Sequence, residues 1–369
     1  MNIVIFVSYT YPFIGSGLGQ VAIHQAEELS KLGHGVVLVS ADYPSVKKKT
    51  FMKKGVLHIK LACINYLMRF HIPVPFFLIN SKVLSQIKNA DIIHSHDMLY
   101  PHSFQAAILA LIFRKKFILT QHVGFIEYEN KFINVLQWLV SYTVGRFVIL
   151  ASDKIIVVNE ELKRALRANS SKIVTLVNGV DINFFKPTDK LKKKILRRKY
   201  GLPLDKAVIL FVGRLVPKKG YKLLIGAKNE EYIILFAGGG KIPYNLNKNK
   251  DNVLFLGNLP QNKLREIYQA SDIFVLPSKS EGLPLSIQEA MASGLPIITC
   301  NNPGYNRYFN NPGVLFVKPD TSLLKQAIKD VLGDKILMRN MSRYSLSCLA
   351  ASFSWKNNTD KLLGIYQDE

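Results

Sequence analysis

The chain has 369 residues, of which 48% are hydrophobic, and a formal net charge of +23 from 49 basic and 26 acidic residues. This length accommodates two domains of ordinary size, each able to bury a core. Its three scattered cysteines, Cys63, Cys300 and Cys348, exclude a disulfide framework and a zinc site. We therefore expect reduced, buried thiols.

Apolar strand-like runs alternate with helical patterns along the chain, which predicts βαβ units and parallel sheets. The first run, residues 2–9, has no basic region before it and indicates a strand rather than a signal peptide, so we expect a cytoplasmic protein. A lysine-rich linker is predicted over 181–206, with a solvated helix at Lys190–Lys199. The other predicted strands are 35–40, 91–94, 117–120, 154–158, 208–212, 232–237, 252–256, 273–276 and 296–299.

Gly15-Ser-Gly17-Leu-Gly19 follows the first predicted strand. Its spacing differs from the G-x-G-x-x-G fingerprint of dinucleotide-binding folds, so a nicotinamide cofactor is not supported. Farther along, Ile93-His94-Ser-His96-Asp97 resembles a metal-binding pair with a carboxylate. No further ligand cluster accompanies it, which favours structural or acceptor-site histidines over a metal site. No Asp-x-Asp occurs in the chain, so nothing indicates metal-dependent donor binding.

A second glycine-containing segment, Gly213-Arg214…Lys219-Gly220, follows an apolar run typical of a buried parallel strand. Ligands of open α/β sheets bind at the carboxyl ends of strands, where both cations would stand. Two cations there would stabilise the charge that develops on a departing diphosphate. The alternative is an ordinary solvated loop.

Two carboxylates, Glu281 and Glu289, lie eight residues apart across the predicted start of a helix. Pro284 suits its first turn, and Gly294 suits its end. The backbone N–H groups and the dipole at such a helix start attract a phosphate or diphosphate, which leaves the acids to hold hydroxyl groups. A nucleotide-sugar requires both. The alternative is an acidic residue at each end of a surface helix.

Together these segments resemble the retaining family 4 glycosyltransferases, and the resemblance covers nearly the whole chain. It implies an α/β, GT-B fold, with two Rossmann-like, doubly wound parallel-sheet domains that face each other across a cleft. The implied domains are residues 1–180 for the acceptor, 181–348 for the nucleotide-sugar, and a terminal helix, 349–369, that crosses back to the first domain. Other matching segments are Thr120–His122, Val177–Asp181, Ala237–Gly240, Phe255–Gly257 and Phe353–Trp355.

The resemblance also implies residue roles. Arg214 and Lys219 would hold the donor diphosphate, Glu281 the hydroxyls of the transferred sugar, and Glu289 the ribose. His122 would lie close to the transferred sugar, and Gly17 would let its loop approach the diphosphate and the acceptor. Further donor-binding positions are Gly213, Gly257, Gly282, Leu283, Pro284 and Leu285.

The implied reaction moves a sugar from a nucleotide-sugar to an acceptor hydroxyl with retention of configuration and without a metal or other cofactor. The acceptor would be a polysaccharide precursor or a lipid-linked glycan. Leu283-Pro284 replaces the common Phe-Gly, and Pro303–Arg307 lacks an acid, so the donor sugar stays open. The alternatives are a GT-B epimerase or phosphorylase, or a non-catalytic, membrane-associated carbohydrate-binding subunit.

The excess of positive charge calls for an anionic partner, and no nucleic-acid-binding signature accompanies it. Basic and large apolar residues mix in Met68–Phe77, Ile108–Phe117 and Lys131–Val140. We therefore predict peripheral association with an anionic membrane surface at the inner face of the cell membrane. Phe132–Leu150 approaches spanning length, but its polar residues and Arg146 favour a buried or interfacial helix.

Overall fold

A computed structural model describes residues 1–10, 17–42, 48–64, 74–75, 80–122, 124, 131–166, 168–240, 252–279, 284–302, 306–309 and 312–368. It divides the chain into two compact units. The first is Met1–Asn178 with Trp355–Glu369, and the second is Gly179–Ser354. The last helix of the second unit runs to Ser352. The chain then returns to the first unit, whose final helix begins at Trp355.

The first unit contains an eight-stranded sheet in the order β10-β9-β8-β7-β1-β2-β4-β3, parallel except for the β3–β4 pair. A separate antiparallel pair is formed by β5 and β6. The strands are β1 Asn2–Val7, β2 Gly35–Ala41, β3 Thr50–Lys53, β4 Val56–Leu61, β5 Cys63–Ile64, β6 Val74–Pro75, β7 Ile92–His96, β8 Lys116–Gln121, β9 Lys154–Val157 and β10 Ile173–Thr175.

Helices cover both faces of this sheet. Because successive side chains of each strand point to opposite faces, alternate residues of β1 pack against different helices. Ile3 and Ile5 pack with α1 and the C-terminal helix, whereas Val4 and Phe6 pack with α2, α3 and α5. The helices are α1 Gly17–Lys31, α2 Ser81–Lys88, α3 Pro101–Phe113, α4 Lys131–Val140, α5 Arg146–Ala151, α6 Glu160–Ala165 and, at the end of the chain, α13 Trp355–Gln367.

The second unit is built on a six-stranded, fully parallel sheet in the order β13-β12-β11-β14-β15-β16, the doubly wound order of Rossmann folds. Its strands are β11 Ala207–Val212, β12 Tyr232–Ala237, β13 Val253–Gly257, β14 Ile273–Leu276, β15 Ile297–Cys300 and β16 Val314–Val317. Its helices are α7 Lys190–Lys199, α8 Tyr221–Gly226, α9 Gln261–Ala270, α10 Leu285–Ala292, α11 Thr321–Gly333 and α12 Lys335–Ser352.

Every predicted strand is present within two residues of its predicted ends, but six strands were missed: β3, β4, β5, β6, β10 and β16. The strand β4, which lies between β2 and the edge strand β3, shows why. It places His58 and Lys60 among its apolar residues, and both are buried. A sequence pattern assigns such residues to the surface, so only tertiary burial reveals this strand.

The basic helix α7 differs from the prediction of a fully solvated helix. Arg197 is buried and forms an ion pair with Asp272, and Lys193 binds the same carboxylate at 2.7 Å. The two cations lie one helical turn apart and therefore share the inward face. Two cations of the basic run thus bind α7 to Asp272, the residue directly before β14.

The three cysteines form no disulfide with one another, and only Cys300 is buried, whereas Cys63 and Cys348 are partly exposed. The prediction of three buried thiols was therefore right for one of them. Burial raises the pKa of the Cys300 thiol to about 11, so this thiol stays protonated at neutral pH.

The apolar segment after residue 130 forms one continuous helix, Lys131–Ala151, in which a π-helical turn, Ser141–Gly145, joins α4 to α5. Within the described residues, this is the one helix that is both long enough and apolar enough to cross a membrane, with a mean hydropathy of 1.4. None of the residues of α4 is buried. Of the two expected alternatives, a buried or an interfacial helix, burial does not hold for this half.

Candidate active site

In the second unit, the predicted cations follow β11, at the position where the strand order reverses. The loop after β11 lies directly against the loop after β12, since Gly213 N donates to Ala237 O at 2.9 Å and Leu215 N to Gly239 O at 2.8 Å. A Cβ on Gly238, which has φ +138°, would stand 2.0 Å from Gly213 O. Glycine is therefore required for the two loops to pack this closely.

Lys219 returns to the same strand end through a single 3₁₀ turn, Pro217–Lys219, that stops at Gly220 with φ +70°. Its Cδ and Cε lie 3.7 Å from the position that a Cβ of Gly213 would occupy. A Cβ on Gly220 would stand 1.9 Å from the carbonyl oxygen of Pro277, which follows β14. The structure thus brings Lys219 to Gly213, next to the exposed Arg214.

Gly257 ends β13, the edge strand beyond β12. It has φ +65°, and its carbonyl accepts a hydrogen bond from Gly238 N at 2.8 Å. A Cβ at Gly257 would meet no atom within 4 Å. Gly257 therefore shapes the turn that supports the β12 loop, and its position requires glycine for backbone conformation rather than for space.

The predicted helix after β14 is α10, but it begins at Leu285, one residue later than expected. Pro284 has φ −66° and ψ 121°, so its ring sets a helical φ while its ψ is extended, which makes Pro284 the residue that precedes the first turn. The helix ends before Gly294, which has φ +75°, as predicted. Glu281, Gly282 and Leu283 lie outside the described residues.

Glu289 lies on α10 and is held by a residue that the sequence analysis missed. The hydroxyl of the fully buried Tyr268, on α9, lies 2.8 Å from Glu289 Oε2 and 3.2 Å from Ser286 O. Burial raises the pKa of Glu289 to about 7, and the hydrogen bond from Tyr268 opposes that rise. In sequence, Tyr268 looks like any apolar-face residue of an amphipathic helix.

In the first unit, His122 follows β8 and is buried. Its Nε2 lies 2.8 Å from Nδ1 of His96, at the end of β7, and the rings are 5.1 Å apart and nearly parallel. Its backbone N–H donates to Asp97 Oδ1 at 3.1 Å. Asp97 has φ +65°, an unfavourable conformation for a residue with a side chain, and such strain is concentrated at functional sites.

His94 extends this histidine cluster inward. Its Nδ1 lies 2.7 Å from the hydroxyl of Tyr366, its Nε2 lies 2.7 Å from Thr120 Oγ1, and its ring stacks on His96. Burial lowers the pKa of His94 to about 3 and that of His122 to about 4, and it lowers the pKa of His96 well below 6.5. All three rings are therefore neutral at pH 7.

The neutral cluster bears on the metal alternative for His94 and His96. Both nitrogens of His94 are engaged by hydroxyl groups, and Nδ1 of His96 is engaged by His122. Across the described ranges, no group of three or more His, Cys, Asp or Glu side chains could hold a metal ion. The arrangement therefore favours histidines that position one another.

Gly17, the remaining predicted site residue, is the first residue of α1 and is exposed. The preceding part of its loop, with Gly15, lies outside the described residues. Two residues on, a Cβ at Gly19 would stand 2.4 Å from Tyr9 O. Gly19 is thus the position where this loop requires glycine for the close packing of α1 on the end of β1.

Residues 192–347 match the model of the glycosyl transferases group 1, and residues 15–184 match that of glycosyltransferase family 4. The chain is 28% identical over 397 residues to the putative teichuronic acid biosynthesis glycosyltransferase TuaC of Bacillus subtilis, with 99% of this chain and 98% of the relative covered.

A second relative is the UDP-Gal:alpha-D-GlcNAc-diphosphoundecaprenol alpha-1,3-galactosyltransferase of Escherichia coli, 31% identical over 306 residues, with 74% of this chain and 76% of the relative covered. The crystal structure of Anabaena HepE in complex with UDP-glucose superimposes with a TM-score of 0.76 at 15% identity, covering 100% of this chain and 99% of that chain. The chain therefore belongs to the group 1 glycosyltransferases of family 4 and is a glycosyltransferase with the GT-B fold.

Proposed function

We propose that the second unit binds a UDP-hexose at the carboxyl edge of its sheet. The observation that carries the proposal is the Tyr268–Glu289 pair, a buried hydroxyl that orients a carboxylate on the helix following β14. Lys219 over Gly213 supplies a cation at the same edge of the sheet. The names of two similar proteins include UDP-Gal or UDP-glucose, which supports the choice of nucleotide and sugar class.

Within that donor site, Arg214 and Lys219 hold the diphosphate, and Glu289 accepts hydrogen bonds from the ribose hydroxyls. Glu281 binds the hydroxyls of the transferred sugar, and the backbone from Gly282 to Leu285 contacts the phosphates. These assignments follow from the family resemblance. The described geometry supports Lys219 and Glu289 in particular, since Lys219 lies over Gly213 and the Glu289 carboxylate is bound by Tyr268.

The proposed reaction retains the configuration of the anomeric carbon. The bond between that carbon and the diphosphate oxygen breaks, and the nucleoside diphosphate leaves with the electron pair. The acceptor oxygen forms the new bond on the same face, and its proton passes to the departing phosphate oxygen. We propose that Arg214 and Lys219 stabilise the developing charge, so that the reaction needs no metal ion or other cofactor.

We further propose that the acceptor is a lipid-linked glycan or a polysaccharide precursor, which the enzyme meets at the inner face of the cell membrane. One similar protein is named for teichuronic acid biosynthesis, and another for a diphosphoundecaprenol acceptor. The net charge of +23 suits an anionic membrane surface. The first unit would present the acceptor, with His122 near the transferred sugar.

A thermal-shift panel of UDP-, GDP- and ADP-sugars tests the donor, because a ligand that binds only the folded state stabilises it by mass action. We expect UDP-hexoses to raise the unfolding temperature of the native protein but not of Glu289→Gln. Glu231→Gln, which removes an exposed carboxylate paired with Lys329, is the matched control. Stabilisation by GDP- or ADP-sugars instead would refute the UDP assignment.

Release of UDP then tests the reaction. We expect UDP release to require a lipid-linked glycan acceptor. Conversion of the sugar without an acceptor would identify an epimerase, and tight donor binding without any release would identify a non-catalytic subunit.

A further inference from the structure

One helix of the first unit exposes a large apolar face. The outward residues of α4 and the π turn are large and apolar and recur at helical spacing along one face. Each is between 48% and 72% exposed: Phe132, Val135, Leu136, Trp138, Leu139 and Tyr142. Soluble proteins rarely expose contiguous apolar surface of this extent without a partner for it.

The same helix carries features that suit a lipid headgroup region rather than a protein groove. Residues 131–151 contain no Asp or Glu, whereas Lys131 and Arg146 are exposed. Trp138 and Tyr142 stack at 5.2 Å, and such aromatic pairs with a polar edge favour the boundary between headgroups and acyl chains. With a chain charge of +23, the partner of complementary charge is an anionic bilayer.

The C-terminal half of the helix excludes a spanning arrangement. Val148 and Ile149 belong to the core of the first unit, and Phe147 packs on Phe104 of α3 at 5.3 Å. Gly145 lies against Met98 and Leu99, where a Cβ would be about 3.4 Å from the Met98 sulfur. Strand β9 follows three residues after α5. The helix could therefore cross a bilayer only if the core of this unit came apart.

We infer that Lys131–Ala151 lies in the plane of an anionic bilayer, with the face formed by Phe132, Val135, Leu136, Trp138, Leu139 and Tyr142 inserted among the lipids and α5 anchored in the protein core. This inference deepens the proposed membrane association and rests on it. The helix brings the first unit, the proposed acceptor-binding unit, to the surface where a lipid-linked acceptor is found.

The chain has two tryptophans, which make the test direct. Trp138 is exposed, whereas Trp355 is 5% exposed, so the change in fluorescence on binding vesicles reports Trp138. With vesicles of phosphatidylcholine and phosphatidylglycerol, we expect flotation of the full chain, a blue shift, and quenching by brominated acyl chains. Trp138→Phe should still float but lose the quenching. Vesicles of phosphatidylcholine alone should recover little protein at physiological salt.

Val135→Glu/Leu139→Glu should lower partition into the anionic vesicles at least tenfold. Leu191→Glu/Ile336→Glu, which adds the same charge at two even more exposed apolar residues of the second unit, should bind as the unmodified chain does. Equal urea unfolding curves would show that both variants fold. The vesicle assays contain neither a sugar donor nor an acceptor. A failure to bind vesicles is therefore distinct from a failure of the proposed sugar transfer.

Four results would overturn the inference. Equal flotation of Val135→Glu/Leu139→Glu, or binding without quenching of Trp138, would show that another surface meets the lipid. Resistance to alkaline carbonate extraction would show a spanning helix. A lipid-free dimer that Val135→Glu/Leu139→Glu converts to monomers, with no flotation, would show that a second copy of the chain covers this face.

Discussion

The hydroxyl of Tyr268 lies 2.8 Å from Oε2 of Glu289, and Tyr268 is fully buried whereas Glu289 is partly buried. A hydrogen bond to a charged acceptor contributes about 1.5–3 kcal/mol. We therefore expect Tyr268→Phe to weaken donor binding roughly 10- to 100-fold and to shift the pH at which Glu289 ionises upward. Calorimetric titration of the donor between pH 6 and 9 measures both effects.

A matched control exists in the same unit. Tyr200 donates to Glu266 Oε2 at 2.6 Å, away from the predicted donor residues. Tyr200→Phe should leave donor affinity within twofold of the native value. Equal losses in the two variants would mean that Tyr268 acts on the fold and not on the donor site.

Glu289 also makes stability depend on pH. The pKa of Glu289 is raised to about 7 from 4.5. The contribution of this shift to the unfolding free energy is therefore fully present below pH 4.5 and is lost as pH rises through 7. The loss amounts to about 3 kcal/mol at most. We expect the difference in unfolding free energy between Glu289→Gln and the native chain to change over this interval and to be constant above pH 8. A difference independent of pH in urea titrations would contradict the raised pKa.

Lys219 should act through its charge at the end of β11. We expect Lys219→Ala to lower kcat/KM by about 10²- to 10³-fold, the usual effect of removing one group that stabilises transition-state charge. Lys218→Ala, which removes the same charge one residue earlier, should change kcat/KM less than threefold. Similar losses in both variants would indicate a general electrostatic effect rather than the proposed contact with the diphosphate.

Gly220 should be indispensable for placing Lys219. Gly220→Ala puts a Cβ 1.9 Å from a backbone oxygen, so the turn must move, and we expect a loss of more than 2 kcal/mol in stability together with loss of donor binding. Gly201→Ala is the control, because Gly201 has φ +63° but no atom within 4 Å of its Cβ position. Its cost should stay near 1 kcal/mol, with donor affinity unchanged. Thermal unfolding and calorimetry distinguish the two outcomes.

The histidine cluster should remain neutral over the physiological range. Burial lowers the pKa of His94 to about 3 and that of His122 to about 4. We expect their ring ¹⁵N shifts to stay constant between pH 5.5 and 8, with one ring of the His96–His122 pair donating to the other. A titration step in that interval would show that water reaches the cluster.

The proposed donor site and the histidine cluster each combine residues that are predictable from the sequence with partners that are not. The order of apolar runs placed Gly213, Arg214 and Lys219 after one strand and Glu289 on the following helix, because strand composition and glycine positions are local properties of the sequence. The partners of these residues are not local. Tyr268 and Glu289 are 21 positions apart in the sequence, and Tyr366 and His94 are 272 positions apart.

The sequence by itself determined the family, the alternation of strands and helices, and the chemical types at the proposed donor site. Tertiary structure decided which polar groups are buried: Lys60 and His58 in β4, Arg197 on the inward face of the basic helix α7, and the neutral histidines. It also decided that an apolar helix stays exposed on one face. The physical reason is that burial depends on which distant segments cover a residue, and no short window of sequence contains both.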